Sequence, residues 1–295
     1  MGRARRVPLA FFLALALFIS ATLGITAYTL WLLRADAIKS GLGMSAVLAR
    51  NFSDHLTQSL RVTELAGVNA ASSENGQLNL RQIEKNFVLI LRHSPHLRSL
   101  SLLDESRRII VSSNPGNTGV AVATKDFYPV TTGSQSVLRI GPPWAGRDFA
   151  NVQATKHPVT VDALESLLPV TQGLAVGSRN LTLLVALNPD YFLNHMSMQF
   201  DSKAGSVEVL RLDGLQLMAT DPEPSVGALN SETSKKFAFN ETEFGEFEQV
   251  LKDQRPVLTA FRVSPLYSFA VLTHVQRDFA LRQWLTCRWL VPRLA

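Results

Sequence analysis

A pair of histidines is the first candidate for chemistry in this sequence, the binding of a metal ion. His93 and His96, in the segment HSPH, are three residues apart, a spacing at which two imidazoles can share one helix face. Pro95 between them favours a helix end instead, and no acidic or cysteine ligand lies near them in sequence. The sequence therefore predicts an ordinary surface turn here and no metal site.

An Asp-Gly pair is the second candidate, because it could open a calcium-binding loop. Asp213 and Gly214 lie at the centre of VEVLRLDGLQLMATDP. A calcium loop needs several oxygen ligands at alternate positions, and Leu215, Gln216 and Leu217 do not supply them. Asp-Gly between two strands of nearly alternating polarity is a strong signal for a hairpin turn. We therefore predict a β-hairpin at this pair.

Motifs typical of nucleophilic or metal-dependent enzymes are missing from the sequence, which has no G-x-S-x-G, P-loop or H-E-x-x-H. The single cysteine, Cys287, lies in the last predicted helix, where an inert thiol is favoured over a catalytic one. One cysteine also excludes an internal disulfide. We expect no enzymatic activity, no catalytic residue and no cofactor.

Composition limits the remaining classes of function. The chain has 295 residues, 46% of them apolar, which is enough for one large domain or two modest ones with a real core. The net charge is +5, several of the arginines lie near the two ends, and no stripe of basic and aromatic residues lies between them. Nucleic acid is therefore not an expected partner.

The strongest signal is an uncharged segment from Pro8 to Leu33. It is longer than the roughly 20 residues that cross a bilayer core, and Arg3, Arg5 and Arg6 before it place the N-terminus in the cytoplasm. A cleaved signal peptide is the competing interpretation, but its apolar core would run only about 7–15 residues. We expect an uncleaved, single-pass anchor in a bacterial inner membrane, with the following chain in the periplasm.

Two helices are predicted after the anchor. In the first, from about residue 34 to 75, apolar residues recur at spacings compatible with one helix face: Ile38, Leu42, Leu48, Phe52, Leu56 and Leu60. No proline interrupts it, which favours one long helix next to the membrane. A shorter helix is predicted over residues 79–92.

The pattern then changes to short runs typical of strands. We predict a hairpin in LRSLSLLDESRRIIVSS, then strands in SVLRIGPPW, LESLLPVTQG and NLTLLVAL, and a short helix in YFLNHMSMQF. The hairpin in VEVLRLDGLQLMATDP follows, then a helix in ETEFGEFEQVLKDQ, two strands in RPVLTAFRVSP and YSFAVLTHVQ, and a last helix in RDFALRQWLTCRWLVPRLA.

The two hairpins make an approximate internal repeat. Each consists of an apolar strand, an acidic turn and a strand that ends in small polar residues, and a helix precedes each one. The predicted fold class is therefore α+β, with an N-terminal transmembrane helix, a long juxtamembrane helix and two antiparallel-sheet modules in tandem.

This order of elements resembles the double Cache sensor domain, a tandem PDC or PAS-like extracytoplasmic domain of bacterial diguanylate cyclases, histidine kinases and chemoreceptors. The resemblance rests on LARNFSDHLTQSLRVTELA, RSLSLLDESRRIIVSS, LRIGPP, LLVALNPDYF, LRLDGLQLMATDP and YSFAVLTHVQRDFALRQW, and it covers most of residues 34–285. It implies two PAS-like modules, of which the membrane-distal one binds a ligand and the membrane-proximal one passes the signal on.

The resemblance implies a division of the chain into five parts. Residues 1–33 are the basic end and the membrane anchor, and residues 34–75 are the long helix. Residues 76–190 form the membrane-distal module and residues 191–278 the membrane-proximal module. Residues 279–295 form an exit helix and a truncated second membrane segment.

The resemblance also implies that a ligand binds between the distal sheet and the segment that covers it, TKDFYPVTTGSQ followed by LRIGPPWAGRD. There Tyr128, Arg139 and Trp144 offer a hydroxyl, a fixed cation and a flat apolar wall, which suits a small anionic or aromatic ligand. The alternative is that both aromatic residues are packing residues and Arg139 faces solvent. Thr171 is the fourth candidate, because Thr171-Gln172 stands where many relatives carry a ligand-facing arginine. The residue pattern of amino-acid-binding members is missing.

The C-terminal tail departs from the family. Relatives continue into a second membrane helix and an output domain, whereas the segment here is short and interrupted by Arg288 and Arg293. We expect a membrane-anchored extracytoplasmic small-molecule sensor without its own output domain, acting as a homodimer or through a membrane signalling partner. A truncated receptor and a ligand-binding or adaptor module without signalling of its own stay open as alternatives.

Overall fold

The longest element is a single helix, α1 (Arg6–Ala71), which at 1.5 Å per residue is roughly 100 Å long. Its large apolar side chains from Phe11 to Leu33 are exposed, as a segment surrounded by lipid requires. Four hydroxyls in this segment donate to carbonyls three or four residues earlier and so need no water: Ser20, Thr22, Thr26 and Thr29. The predicted anchor and the predicted long helix therefore form one continuous element.

The computed structural model describes most of the chain, namely residues 6–71, 78–130, 137–151, 166–176, 179–221, 227–229, 239, 241–251 and 253–282. Within this part, α1 is the one helix long and apolar enough to cross a membrane. The predicted final helix is described only at its start, where α4 spans Arg277–Ala280. Cys287, Arg288 and Arg293 lie outside the described residues.

The first module contains α2 (Leu80–Arg92) and a mixed-length antiparallel sheet of six strands. The strands are β1 (Leu97–Leu103), β2 (Ile109–Ser112), β3 (Arg139–Ile140), β4 (Trp144–Ala145), β5 (Ser166–Val176) and β6 (Arg179–Leu187). Their order is β2-β1-β6-β5-β3, with β4 also paired to β5. Asn79 begins α2 as predicted, since its side chain accepts a hydrogen bond from the Gln82 amide.

The second module follows α3 (Pro189–Gln199) and has a five-stranded antiparallel sheet. The strands are β7 (Gly205–Arg211), β8 (Gln216–Ala219), β9 (Phe244–Val250), β10 (Pro256–Val263) and β11 (Phe269–Gln276). Their order, β8-β7-β11-β10-β9, repeats that of the first sheet when the short strand β4 is left out and the strands are counted within each module. The internal repeat and the α+β class predicted from the sequence are therefore confirmed.

The strand β9 corrects one prediction, because the segment ETEFGEFEQVLKDQ was expected to be a helix. Along Phe244–Val250, exposed and half-buried residues alternate one by one, which is the period of a strand. The strand lies at the edge of the sheet and pairs with β10 on one side only. Pairing with a buried neighbour outweighs the helix propensity of its two glutamates, Glu246 and Glu248.

The Asp-Gly pair forms the predicted hairpin turn between β7 and β8. Gly214 has a φ of 94°, a conformation that residues with a side chain rarely adopt. Its amide donates to the Arg211 carbonyl at 2.7 Å and closes the turn.

Small residues on α1 allow both sheets to approach the helix closely. A Cβ atom at Gly41 would lie 2.4 Å from the Leu258 side chain of β10, and one at Gly67 would lie 2.5 Å from Leu183 of β6. Between these glycines, the buried Ser45 hydroxyl donates to the Thr273 carbonyl of β11 at 2.8 Å. The helix thus packs on the second sheet with its earlier residues and on the first sheet with its later ones.

Two glycines on neighbouring positions of α1 test this close packing. Gly41→Ala should be less stable than Gly43→Ala by about 1–3 kcal/mol, because overpacking affects only the former while both gain helix propensity. A Cβ atom at Gly43 would meet nothing within 4 Å. The measurement is urea unfolding of the full chain in nanodiscs. Equal stability of the two variants would contradict the described contact.

Candidate functional site

A cavity of about 710 Å³ opens at one end of the first sheet. Its walls come from α1, from the turn between β1 and β2, and from β5 and β6. The polar side chains that line it are Glu64, Asp104, Glu105, Arg107, Thr124, Arg139, Thr171, Gln172, Asn180 and Thr182. Both charges are represented, and a carboxylate of the long helix is among them.

The Arg139 guanidinium makes structural hydrogen bonds on one side, and its other side remains available to a ligand. Its Nε donates to the Pro129 carbonyl at 2.9 Å, and one terminal nitrogen donates to the carbonyls of Phe127 and Thr124 at 2.7 and 3.2 Å. The other terminal nitrogen makes no hydrogen bond within the described residues. The half-buried guanidinium thus holds the covering loop and retains two donors for a ligand.

Positive charge is concentrated around this guanidinium. Burial lowers the pKa of Arg139, and the neighbouring charges of Arg107 and Arg211 lower it further. The group stays protonated, since the ordinary pKa of an arginine lies far above neutral pH. Of these three cations, Arg139 and Arg107 line the cavity, together with the carboxylates of Glu64, Asp104 and Glu105, so an anionic group of a ligand is attracted locally, at the guanidinium.

Two of the four predicted site residues share the cavity wall. Arg139 and Thr171 are Cα partners in the pairing of β3 with β5, and both line the cavity. Thr171 is buried, with 3% of its surface exposed, so its hydroxyl has a fixed position in this wall.

The other two predicted residues lie outside the lining of this cavity. Trp144 is buried and packs edge-on against Phe127 and Phe149, with ring centroids 6.4 and 5.7 Å apart. The Tyr128 backbone pairs with Ile140, and its ring lies 5.7 Å from the Arg211 guanidinium. In these positions the two aromatic side chains hold the cover of the sheet together.

Glu64 is a cavity residue that the sequence did not reveal. Its carboxylate accepts one hydrogen bond from the Gln172 amide of β5 at 2.6 Å and another from the Tyr267 hydroxyl at 2.7 Å. Gln172 belongs to the first module, and Tyr267 lies between β10 and β11 of the second. One side chain of α1 therefore joins both modules beside the cavity.

The environment of Tyr267 agrees with this link. Burial raises the pKa of its hydroxyl, and the hydrogen bond to Glu64 raises it further. The hydroxyl therefore stays protonated and keeps donating to the carboxylate. In the sequence, Glu64 is one of several polar residues beside the apolar face of the helix, so its position in the pattern does not indicate a role in the cavity.

A second link between the modules comes from the hairpin of the Asp-Gly pair. The buried Arg211 forms a two-pronged ion pair with Asp213, at 2.8 and 2.6 Å. Its remaining terminal nitrogen donates to the carbonyls of Asp126 and Ile140 at 2.9 and 3.0 Å. The aspartate thus orients an arginine of the second module against the cover of the first, a role beyond the predicted turn.

Asp148 is a buried carboxylate in the first module, but its hydrogen bonds are already made. It accepts from the Ser99 hydroxyl, from the side-chain amides of Asn117 and Asn114, and from the Phe149 amide, at 2.6 to 2.8 Å. All four donors are neutral, so the carboxylate ties the cover to the sheet. Within the described ranges, no group of three or more His, Cys, Asp or Glu side chains is arranged to hold a metal ion.

The HSPH segment is only in part the predicted surface turn. His93 ends α2 and is exposed. His96 is half-buried, contacts the Thr63 hydroxyl at 3.0 Å and packs beside Tyr191 and Phe192. The proline directs the second histidine inward, where it meets α1 and α3.

The fold is similar to those of solved extracellular sensor domains. The extracellular domain of a protein described as a histidine kinase, rpHK1S-Z16, has a TM-score of 0.61 at 17% identity and covers 85% of this chain and 98% of its own. The ligand-binding domain of the Pseudomonas fluorescens chemoreceptor CtaA with L-isoleucine has a TM-score of 0.56 at 14% identity, covering 85% and 96%. The ligand-binding domain of Mlp24 with asparagine has a TM-score of 0.51 at 15% identity, covering 85% and 98%.

These similarities confirm, at the level of fold, the resemblance to Cache-like sensor domains predicted from the sequence. No protein-family model matches the sequence, and no curated protein matches it. Because the sequence identities are low, the similarity concerns the fold only. The class of ligand has to be inferred from the cavity itself.

Removal of one hydroxyl tests the link through Glu64. Tyr267→Phe should lower the free energy of unfolding by about 1–2 kcal/mol, because a partly buried carboxylate loses a donor. Tyr191→Phe is the matched control, since the Tyr191 hydroxyl makes no hydrogen bond within the described residues. The measurement is urea unfolding near neutral pH. If both variants unfold at the wild-type urea concentration, the link does not stabilise the fold.

Proposed function

We propose that this protein is a membrane-anchored extracytoplasmic sensor of the double Cache type, which binds a small anionic molecule in the cavity beside Arg139. One observation carries the proposal. The helix that is long and apolar enough to cross a membrane is also the helix whose Glu64, Leu65 and Val68 line the cavity. A ligand there contacts the same element that enters the membrane.

The guanidinium of Arg139 supports an anionic group on the ligand. The free terminal nitrogen of Arg139 supplies two donors, and the Thr171 hydroxyl lies on the paired strand. A carboxylate is a good match for a guanidinium edge, because charge-assisted hydrogen bonds to it are about twice as strong as neutral ones. The domains of CtaA and Mlp24, which share this fold, are ligand-binding domains, which supports binding rather than catalysis.

The proposed topology follows from the charges that flank the apolar segment. Arginines precede it, so the N-terminus lies in the cytoplasm and both modules lie in the periplasm, with the first module distal to the membrane. The proposed domain limits are those predicted from the sequence, and α1 (Arg6–Ala71) passes through both of the first two parts.

The proposed route of the signal runs along α1. A ligand that draws Arg139 toward it or repels the Glu64 carboxylate changes the balance of hydrogen bonds that Glu64 makes with the two modules. A helix transmits a small shift along its axis without bending, and a membrane partner or a second copy of the chain can receive it. The ligand shifts the sensor only by the difference between its affinities for the two states.

A thermal-shift screen tests the binding function. The full chain in nanodiscs is heated with small carboxylates, amines and nucleotides, with unfolding followed by tryptophan fluorescence. At about 100 times its Kd, a ligand adds about 2.7 kcal/mol to the stability of the folded state. We expect a carboxylate to raise the Tm and the amines to leave it unchanged. A folded chain whose Tm none of these compounds raises would count against a ligand cavity.

Arg139 is then tested with the carboxylate that raises the Tm. Arg139→Ala should weaken its binding about 10- to 100-fold, as expected for the loss of a charge-assisted contact of about 1.5–3 kcal/mol. Thr171→Val should weaken binding less, and it leaves the covering loop held. Arg108→Gln is the control, because Arg108 is exposed and donates to the Gly119 carbonyl outside the cavity. Unchanged binding in Arg139→Ala would refute the assignment of this site.

A further inference from the structure

Three histidines from separate parts of the chain meet where α1, α3 and the start of β1 come together. We call His55 of α1, His96 of the turn before β1 and His195 of α3 the histidine cluster. The rings of His55 and His195 are stacked, with centroids 4.2 Å apart and planes inclined by 23°. The rings of Tyr191 and Phe192 lie near both His55 and His96, with centroids 5.8 to 6.2 Å apart.

The hydrogen bonds of the cluster suit neutral imidazoles. The Thr63 hydroxyl donates to the Ser59 carbonyl, so it accepts from His96 Nε2, and the second nitrogen of that ring can stay unprotonated. The Gln199 side-chain amide contacts His195 Nε2 at 3.0 Å, and this nitrogen must accept. The Nε2 atom of His55 is buried and has no hydrogen-bond partner within the described residues.

No carboxylate neutralises a charge on the cluster, because none of the three histidines forms an ion pair among the described residues. On α3, Asp190 is engaged by Arg98 of β1 at 2.9 Å, and on α1, Asp54 pairs with Arg50 at 3.7 Å. The nearest other charged groups on α1 are Arg61, which is exposed, and Glu64, which follows Thr63 and accepts hydrogen bonds from Gln172 and Tyr267. Tyr191 of α3 and the exposed His93 at the end of α2 are neutral. A proton taken up by the cluster therefore meets uncharged aromatic rings and another imidazole.

Burial and mutual repulsion both favour the neutral forms. Burial lowers the pKa of His55, and the facing His195 lowers it further. Burial likewise lowers the pKa of His96, with His55 adding to the effect. The unfolded chain therefore binds more protons than the folded cluster once the pH falls below 6.5, and stability contributed by the cluster is lost in that direction.

We propose that the histidine cluster makes the junction between α1 and α3 sensitive to protons, so that mild acidification separates the two helices. The position gives this event a direct effect on the connection between the modules, because α3 is the segment that leads from β6 into β7. The cluster would thus provide a second input, the external pH, that acts apart from the ligand cavity. This response to pH does not depend on whether the cavity binds a carboxylate.

Hydrogen exchange of the full chain in nanodiscs tests the junction without any mutation. Protection of α3 is compared with that of β10 at about pH 7.5 and about pH 5, after correction for the intrinsic exchange rate. We expect α3 to lose protection relative to β10 at the lower pH, because the separated helices take up protons more readily than the packed cluster. An equal loss in both elements, or no loss in α3, would overturn the proposal.

Substitutions identify the histidines as the cause. His55→Phe keeps a ring beside Tyr191 and Phe192 but cannot take a proton, so it should abolish most of the acid-induced loss in α3. His93→Gln removes an exposed histidine three residues from His96 and should keep the wild-type response. If His55→Phe does not fold, His195→Gln removes the facing imidazole and should weaken the response. A full acid response in the folded variant of either cluster position would contradict a role for the cluster.

Discussion

The packing of two sheets on one helix is the contact on which the rest of the molecule depends. The second sheet lies on the part of α1 around Gly41 and Ser45, and the first lies on the part around Gly67. Glycine at both places lets strand side chains fill the space a Cβ atom would occupy, so neither sheet can shift along the helix without a clash or a gap. The cavity, the Glu64 link and the histidine cluster all lie on the helix between or beside these contacts. Their geometry is fixed because the helix is fixed.

Much of this fold could be predicted from sequence because its signals are local. The uncharged segment, the period of the long helix, the Asn79 cap and the Asp-Gly turn each depend on residues close together in the chain. Strand β9 could not be predicted in that way, because its glutamates favour a helix and only the pairing with β10 makes it a strand. The presence of two antiparallel-sheet modules followed from the repeat of two hairpins, which is a comparison within the sequence itself.

The candidate site was less accessible to sequence reasoning. Arg139 and Thr171 were found through the family resemblance, and the register of β3 with β5 places them on one wall. Glu64, His55 and His195 were not found, because each is one polar residue on a helix whose partners lie far away in the chain. Glu64 meets Tyr267 across 203 positions, a separation at which no local pattern carries information. Buried polar contacts of this kind are a property of the assembled fold.

The contact of Arg211 with the carbonyls of Asp126 and Ile140 has a consequence for recombination between relatives. A chimera cut between the modules would bring an arginine of one parent against the covering loop of the other. If the new loop did not present both carbonyls, a buried cation with its aspartate would lose half its partners. The unit that can be exchanged intact is therefore the β7–β8 hairpin together with the segment that covers the first sheet. This unit contains part of each module, so its limits do not coincide with the limit between the modules.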